Sequence, residues 1–209
     1  MRKRIVRTLS LAVLTWALSM NAVVHAATPT DTDDTPLATV RVTVDRVLAV
    51  LTDATLSEEA RRRQVKAIVA QHFDFKAMAN RVLATNWRKA SKAERARFTS
   101  LFRELLTNTY WAKISAYTNE KVEYLGEKRS SDKLATVNTV IHTSTADIPV
   151  DYKLYRTPDG WAAYDVVIEQ VSLVRNYRSS FQTIVHDVGI AGLLSQLEIK
   201  VAESSAVAE

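Results

Sequence analysis

The sequence predicts an α+β fold, an antiparallel-rich sheet with helices packed against one face. Three features of the chain predict it. From Leu37 to Ile114 apolar residues recur at three- and four-residue steps; from Val122 to Ile168 the period falls to two; from Tyr177 onward helical spacing returns. No internal repeat or linker divides this plan.

Residues 1–26 read as a secretion signal. Arg2, Lys3, Arg4 and Arg7 form a positive n-region, Leu9 to Val24 is mostly apolar and uncharged, and Val24-His25-Ala26 offers a cleavage site after Ala26. The apolar run is near the lower limit for crossing a bilayer, and no positive stop-transfer cluster follows it. Export is therefore expected. The polar residues 27–36 read as a flexible leader, residues 37–202 as a single domain, and the small, polar residues 203–209 as a disordered tail.

Removing the signal changes the charge balance. The chain has 28 Lys+Arg against 23 Asp+Glu; four of the positives and none of the negatives lie in the signal, which leaves 24 against 23. A nucleic-acid partner needs a retained basic face, and Arg61-Arg62-Arg63 alone reads as the wet side of a helix. The chain has no cysteine, which excludes disulfides and thiol chemistry. His72, His142 and His186 are far apart in sequence, so no metal site is expected.

The helical half can be read from its caps. Pro36 sits where helices begin, and Leu37, Val40, Val44, Val47, Leu48 and Leu51 make one apolar stripe. Ser57 with Glu58 and Glu59 opens a second helix, with acids at the positive end of its dipole. Asp74 caps a third helix through Met78, Val82 and Leu83, and Ser91 with Glu94 has capping-box spacing for a long fourth. Strands follow at Val122–Tyr124, Val137–Ile141 and Val150–Leu154, and Pro158-Asp159-Gly160 turns the chain into Trp161–Ile168. Val171 and Leu173 extend the strand pattern. Gly189 and Gly192 punctuate the closing helical stretch, which ends near Val201.

No nucleophile elbow, phosphate loop or dinucleotide fingerprint is present, and only four glycines could build one. Asp165 and Glu169, four residues apart on a strand, would point the same way. With His142 they are the candidates for the alternative reading, a small exported hydrolase-like enzyme. The apolar stripes fit a packed core or a ligand cavity equally, because the two have the same periodicity.

Gly160-Trp161-Ala162-Ala163-Tyr164-Asp165-Val166-Val167-Ile168-Glu169, with Val171-Ser172-Leu173-Val174 and Asn176-Tyr177-Arg178-Ser179-Ser180-Phe181, resembles the signature stretch of the MlaC (toluene-tolerance) family. Phe73-Asp74-Phe75, Met78-Ala79, Trp87-Arg88 and the Phe98, Phe102, Leu105-Leu106, Thr109-Tyr110 spacing are similar to its helical half. The resemblance covers roughly residues 37–202. Ala84 and Gln170 depart from it, standing where the family often has glycine; Gln170 argues against a tight bulge at the end of its strand.

The resemblance implies a periplasmic phospholipid carrier with a twisted sheet around a deep apolar pocket, and no catalysis. Its implied partners are phospholipid, an inner-membrane ABC transporter complex and an outer-membrane lipoprotein–porin complex; its implied role is outer-membrane lipid asymmetry. Phospholipid would be cargo, with no cofactor, and a monomer is expected because no exposed heptad seam is evident. Two acyl chains carry about 30 CH₂ groups at about 0.8 kcal/mol each, so shielding them from water suffices without chemistry. Periodicity then assigns a sheet wall of Val137, Thr139, Ile141, Val150, Tyr152, Leu154, Val166, Ile168 and Leu173. The helical wall would be Val82, Leu83, Leu105, Tyr110, Ile114, Tyr177, Phe181 and Ile184. Arg175 and Arg178 are candidates to lie near the lipid phosphate.

Overall fold

A computed structural model describes residues 34–117 and 120–206, so the expected signal and most of the leader lie outside the described residues. The order is α1 (Pro36–Thr52), α2 (Glu58–His72), α3 (Phe75–Leu83), α4 (Thr85–Lys89), α5 (Lys92–Ser115), β1 (Lys121–Ser131), β2 (Leu134–His142), β3 (Asp147–Thr157), β4 (Gly160–Ile168), β5 (Val171–Ser172) and α6 (Leu173–Ala206). The α+β expectation is borne out. The strands form a five-stranded antiparallel meander in chain order.

Helices α1, α2, α3 and α5 each start on a side-chain acceptor that satisfies an otherwise orphaned N–H. Thr35 Oγ1 accepts from Ala38 N at 3.0 Å ahead of Pro36, and Ser57 Oγ accepts from Ala60 N at 3.2 Å. Asp74 Oδ1 accepts from Ala77 N at 2.8 Å, while its Oδ2 accepts from the Tyr155 hydroxyl. The box expected at α5 is complete: Glu94 N donates to Ser91 Oγ at 3.2 Å and Ser91 N to Glu94 Oε2 at 2.8 Å.

Polar contacts fasten the first half of α1 to the sheet. Arg156 pairs with Asp34, the Trp161 indole donates to Asp34 O at 3.3 Å, and Leu37 N donates to Glu127 Oε2 at 2.8 Å. The Tyr124 hydroxyl donates to Asp45 at 2.9 Å, and the Arg41 guanidinium lies 4.2 Å from the Tyr124 ring centroid.

Several details differ from the sequence expectation. Ala84 adopts φ 51°, which separates α3 from the additional short helix α4. β4 ends at Ile168, and Glu169 and Gln170 take φ 47° and 68°. With Ile168 paired to Val171, they form a tight two-residue turn of the I′ kind. Both positions where glycine is frequent in the resembling family therefore hold a non-glycine residue in left-handed backbone. Leu173 opens α6 instead of extending a strand, and α6 runs to Ala206, past Glu203. The expected break at Gly189 is present, with φ 74° inside α6. A Cβ on Gly192 would come within 2.5 Å of Val188 Cγ2, so the close approach beside this kink requires glycine.

Candidate ligand cavity

The register places Ala135, Val137, Thr139 and Ile141 of β2 beside Leu154, Tyr152, Val150 and Ile148 of β3, and then Ala163, Val166 and Ile168 of β4. These residues share one face because side chains alternate along each strand. At one end of that face Ala135, Val137, Leu154 and Ala163 pack against Val40 and Trp161 in a closed core. At the other end Ile141, Ile148, Val150, Val166 and Ile168, with Tyr152, border a cavity of about 930 Å³. That volume lies near the top of the range of about 300–1,000 Å³ typical of ligand pockets.

The opposite wall comes from several elements. α1 contributes Val44, Val47, Leu48 and Leu51, and α2 contributes Val65 and Val69. Phe73, Phe75 and Met78 close the region around α3, and α5 supplies Leu106, Tyr110, Trp111 and Ile114. Val44, Val47, Leu48, Leu51, Ile148 and Ile168 are only half-buried although they face inward, because their partner is a cavity instead of another side chain. Burial pushes the Tyr152 phenol up to about 12, and burial also raises the Tyr110 phenol. Both stay neutral in the ordinary pH range, so the wall presents no tyrosinate charge. Exposed lining residues mark where the cavity meets solvent: Lys66, Ala67 and Ala70 on α2, Arg103 and Lys113 on α5, Ala116 just after it, and Glu169, Val171 and Asn176.

Of the residues assigned from sequence, Tyr110, Ile114, Ile141, Val150, Tyr152, Val166, Ile168 and Leu173 line this cavity. The others, expected in its walls, do not line it. Val137 and Leu154 are on the expected face but in its closed end, covered by α1 and Trp161. Thr139 is buried, and its Oγ1 donates to Val150 O at 2.8 Å. Val82, Leu83, Leu105 and Phe181 are buried in a core where α3, α5 and α6 meet, with Tyr177 and Ile184 packed against it. Edge-to-face rings fill that space: Phe102 lies 5.3 Å from Tyr177 and Phe98 lies 5.9 Å from Phe181, centroid to centroid.

The α1 and α2 residues went unassigned because a stripe facing a cavity has the same spacing as one facing a core. Arg175 and Arg178 do not line the cavity: Arg175 is exposed, and Arg178 Nε donates to Arg81 O at 2.7 Å. The lining cations are Lys66, Arg103 and Lys113.

The residues of the enzyme alternative are not brought together. Asp165 is buried, accepting from Ser172 Oγ at 2.7 Å and Val174 N at 3.0 Å, with Lys153 Nζ at 3.5 Å; it anchors the start of α6. Glu169 stands in the exposed turn. His142 bridges Glu123 at 2.8 Å and Asp147 at 2.7 Å across the strand ends. Among the described residues, no group of three or more His, Cys, Asp or Glu is placed to hold a metal ion, and no helix is long and apolar enough to cross a membrane.

An α+β domain with a large, mostly apolar cavity between sheet and helices has the geometry to enclose a hydrophobic ligand. The chain is a member of the MlaC family: the model described as "MlaC protein" matches residues 41–199. It is similar to the intermembrane phospholipid transport system binding protein MlaC of Haemophilus influenzae, with 24% identity over 124 residues. That match covers 57% of this chain and 58% of the relative, so the chain spans little more than half the length of that curated protein. Its fold is like that of a phospholipid-binding protein from Ralstonia solanacearum solved in complex with a phospholipid. The TM-score is 0.74 at 24% identity, covering 81% of this chain and 98% of the other.

Proposed function

We propose that this chain is a periplasmic phospholipid carrier that holds acyl chains in the cavity and performs no chemistry on them. The observation that carries the reading is the cavity of about 930 Å³ between the sheet and α1, α2 and α5, walled mostly by aliphatic and aromatic side chains, with charged residues where it meets solvent. Family membership supports it, as do the names of the two similar proteins. Burying two acyl chains removes roughly 30 CH₂ groups from water at about 0.8 kcal/mol each, which makes transit of an unshielded lipid across an aqueous gap prohibitively rare. The same burial makes unaided escape slow, so release requires a partner that opens the pocket.

In this reading residues 1–26 are a cleaved signal that delivers a single domain to the periplasm. There it exchanges lipid with an inner-membrane ABC transporter complex and an outer-membrane lipoprotein–porin complex, maintaining outer-membrane asymmetry. Solvent extraction of protein purified from its own periplasm, followed by mass spectrometry, tests the reading. Phospholipid in fixed ratio to protein is expected; extracts that reproducibly lack lipid would contradict it.

A further inference from the structure

Three elements pass from the cavity into the closed core along their own length, each at a definite residue. On β3 the inward residues Ile148, Val150 and Tyr152 border the cavity, and the next, Leu154, belongs to the closed core. On β4, Ile168 and Val166 border the cavity, while Ala163 and Trp161 are in the core. On α1 the lining runs from Leu51 back to Val44, and Val40, one turn earlier, is packed away from it. The cavity therefore extends along the strands and then stops. From Ile148 to Tyr152 the strand advances about 13 Å, at about 3.3 Å per residue.

Val44, Phe73 and Tyr152 form that stop: they line the cavity and also pack against the closed core. Each is held in place by its own element. Tyr152 stands on β3, flanked by β2 and β4. Val44 precedes Asp45, whose carboxylate accepts from the Tyr124 hydroxyl at 2.9 Å and ties this turn of α1 to β1. Phe73 lies between α2 and α3, where its N–H donates to Val69 O at 2.9 Å and Asp74 N donates to Ala163 O at 2.9 Å. The residues behind them, Val137 and Leu154, are fully buried, and a close-packed core yields little. A hydrocarbon chain end that reaches this point meets a fixed floor.

We propose that Val44, Phe73 and Tyr152 set the longest acyl chain this carrier accepts. The inference rests on the carrier reading and adds chain length to it as a selected property. In exchange with a bilayer, a methylene that fits the cavity is shielded equally in both places. A methylene that the floor keeps out is shielded only in the bilayer. Capture then falls about fourfold for each such methylene, the equivalent of about 0.8 kcal/mol.

The test mixes delipidated protein with vesicles holding equal amounts of phosphatidylethanolamines that differ only in acyl-chain length, and captured lipid is quantified by mass spectrometry. The wild type is expected to take up short and medium chains in the vesicle ratio and then to fall off steeply at one length. Phe73→Leu shrinks the floor and moves that fall to longer chains, raising capture of the first excluded length by about fourfold. Val44→Phe raises the floor and moves the fall to shorter chains. It removes no atoms from the closed core, so it keeps the test open should Phe73→Leu fail to fold. Val42→Phe, on the exposed side of the same helix, leaves the fall where it is.

A wild-type profile with no fall overturns the proposal, as does a fall that stays in place in folded Phe73→Leu or in Val44→Phe. A fall that moves equally with Val42→Phe also overturns it, because the floor would then not be its cause. Each of these leaves the carrier reading intact. Failure of the wild type to capture lipid of any length overturns the carrier reading itself.

Discussion

At one end of the sheet face Val137 and Leu154 meet Val40 and Trp161, each with 5% or less of its surface exposed; at the other, Ile148 and Ile168 face Val47 and Leu48 across a cavity of about 930 Å³. Both ends are built from the same kinds of residue on the same strands and the same helix. They differ in what holds the helix to the sheet. The polar fastenings of α1 to the sheet run from Asp34 to Asp45, and the cavity lining on α1 begins at Thr43. The closed end is thus the foundation on which an open end can stand without its own dense packing.

Substitutions at the two ends should fail in different ways. The largest effect belongs to the closed end. Leu154→Ala removes a buried side chain from a filled site and should cost about 2–5 kcal/mol of stability. Chemical denaturation will read that loss, while lipid per folded protein stays at the wild-type level.

At the open end the order reverses. Ile168→Arg places a charge in the wall facing the tails, and lipid content by mass spectrometry should fall more than about tenfold. The thermal midpoint of the delipidated protein should change little, because Ile168 is only half-buried. A variant that loses stability and lipid together would erase the distinction between the ends.

Ala84 sharpens the comparison from outside both regions. At φ 51° its Cβ makes the backbone unfavourable, and Ala84→Gly should raise stability by about 1 kcal/mol without altering lipid content. Equilibrium unfolding will measure it.

The smallest effect concerns His142, at the cavity end of the β2–β3 hairpin. Hydrogen bonds to Asp147 and Glu123 raise its pKa above 6.5. A histidine raised in the folded state adds stability below the unfolded value, and that contribution disappears as pH rises through the folded value. His142→Gln should therefore lower the melting temperature at about pH 5.5 and have less effect at about pH 8.5. An equal shift at both pH values would show that the bridge is not charge-dependent.

Much of the fold was legible in the sequence because its signals are local. Ser57, Asp74 and the Ser91–Glu94 pair announce helix starts, and the alternation from Val137 to Ile168 names the inward face correctly. What was hidden involves either atypical residues or distant partners. Ala84 and the Glu169-Gln170 turn lack the glycine or asparagine that normally signals left-handed backbone, and α4 went unseen with Ala84. The cavity was legible only in half. Tyr110 and Ile114 continue the stripe of Leu105 on α5, yet Leu105 is buried in the core that holds Phe98 and Phe102 while they border the cavity. Which of these a stripe meets depends on how far away the opposite element is held, and spacing along one helix does not record that distance.

Photolabelling with a phospholipid that carries a diazirine at the end of one acyl chain tests the central claim most directly. After irradiation of the loaded protein, peptide mapping should find the label on Val44 to Leu51 of α1 and on the strand ends around Ile148 and Ile168. Label concentrated on Val137, Leu154 or Trp161, or spread evenly over the surface, would contradict the account.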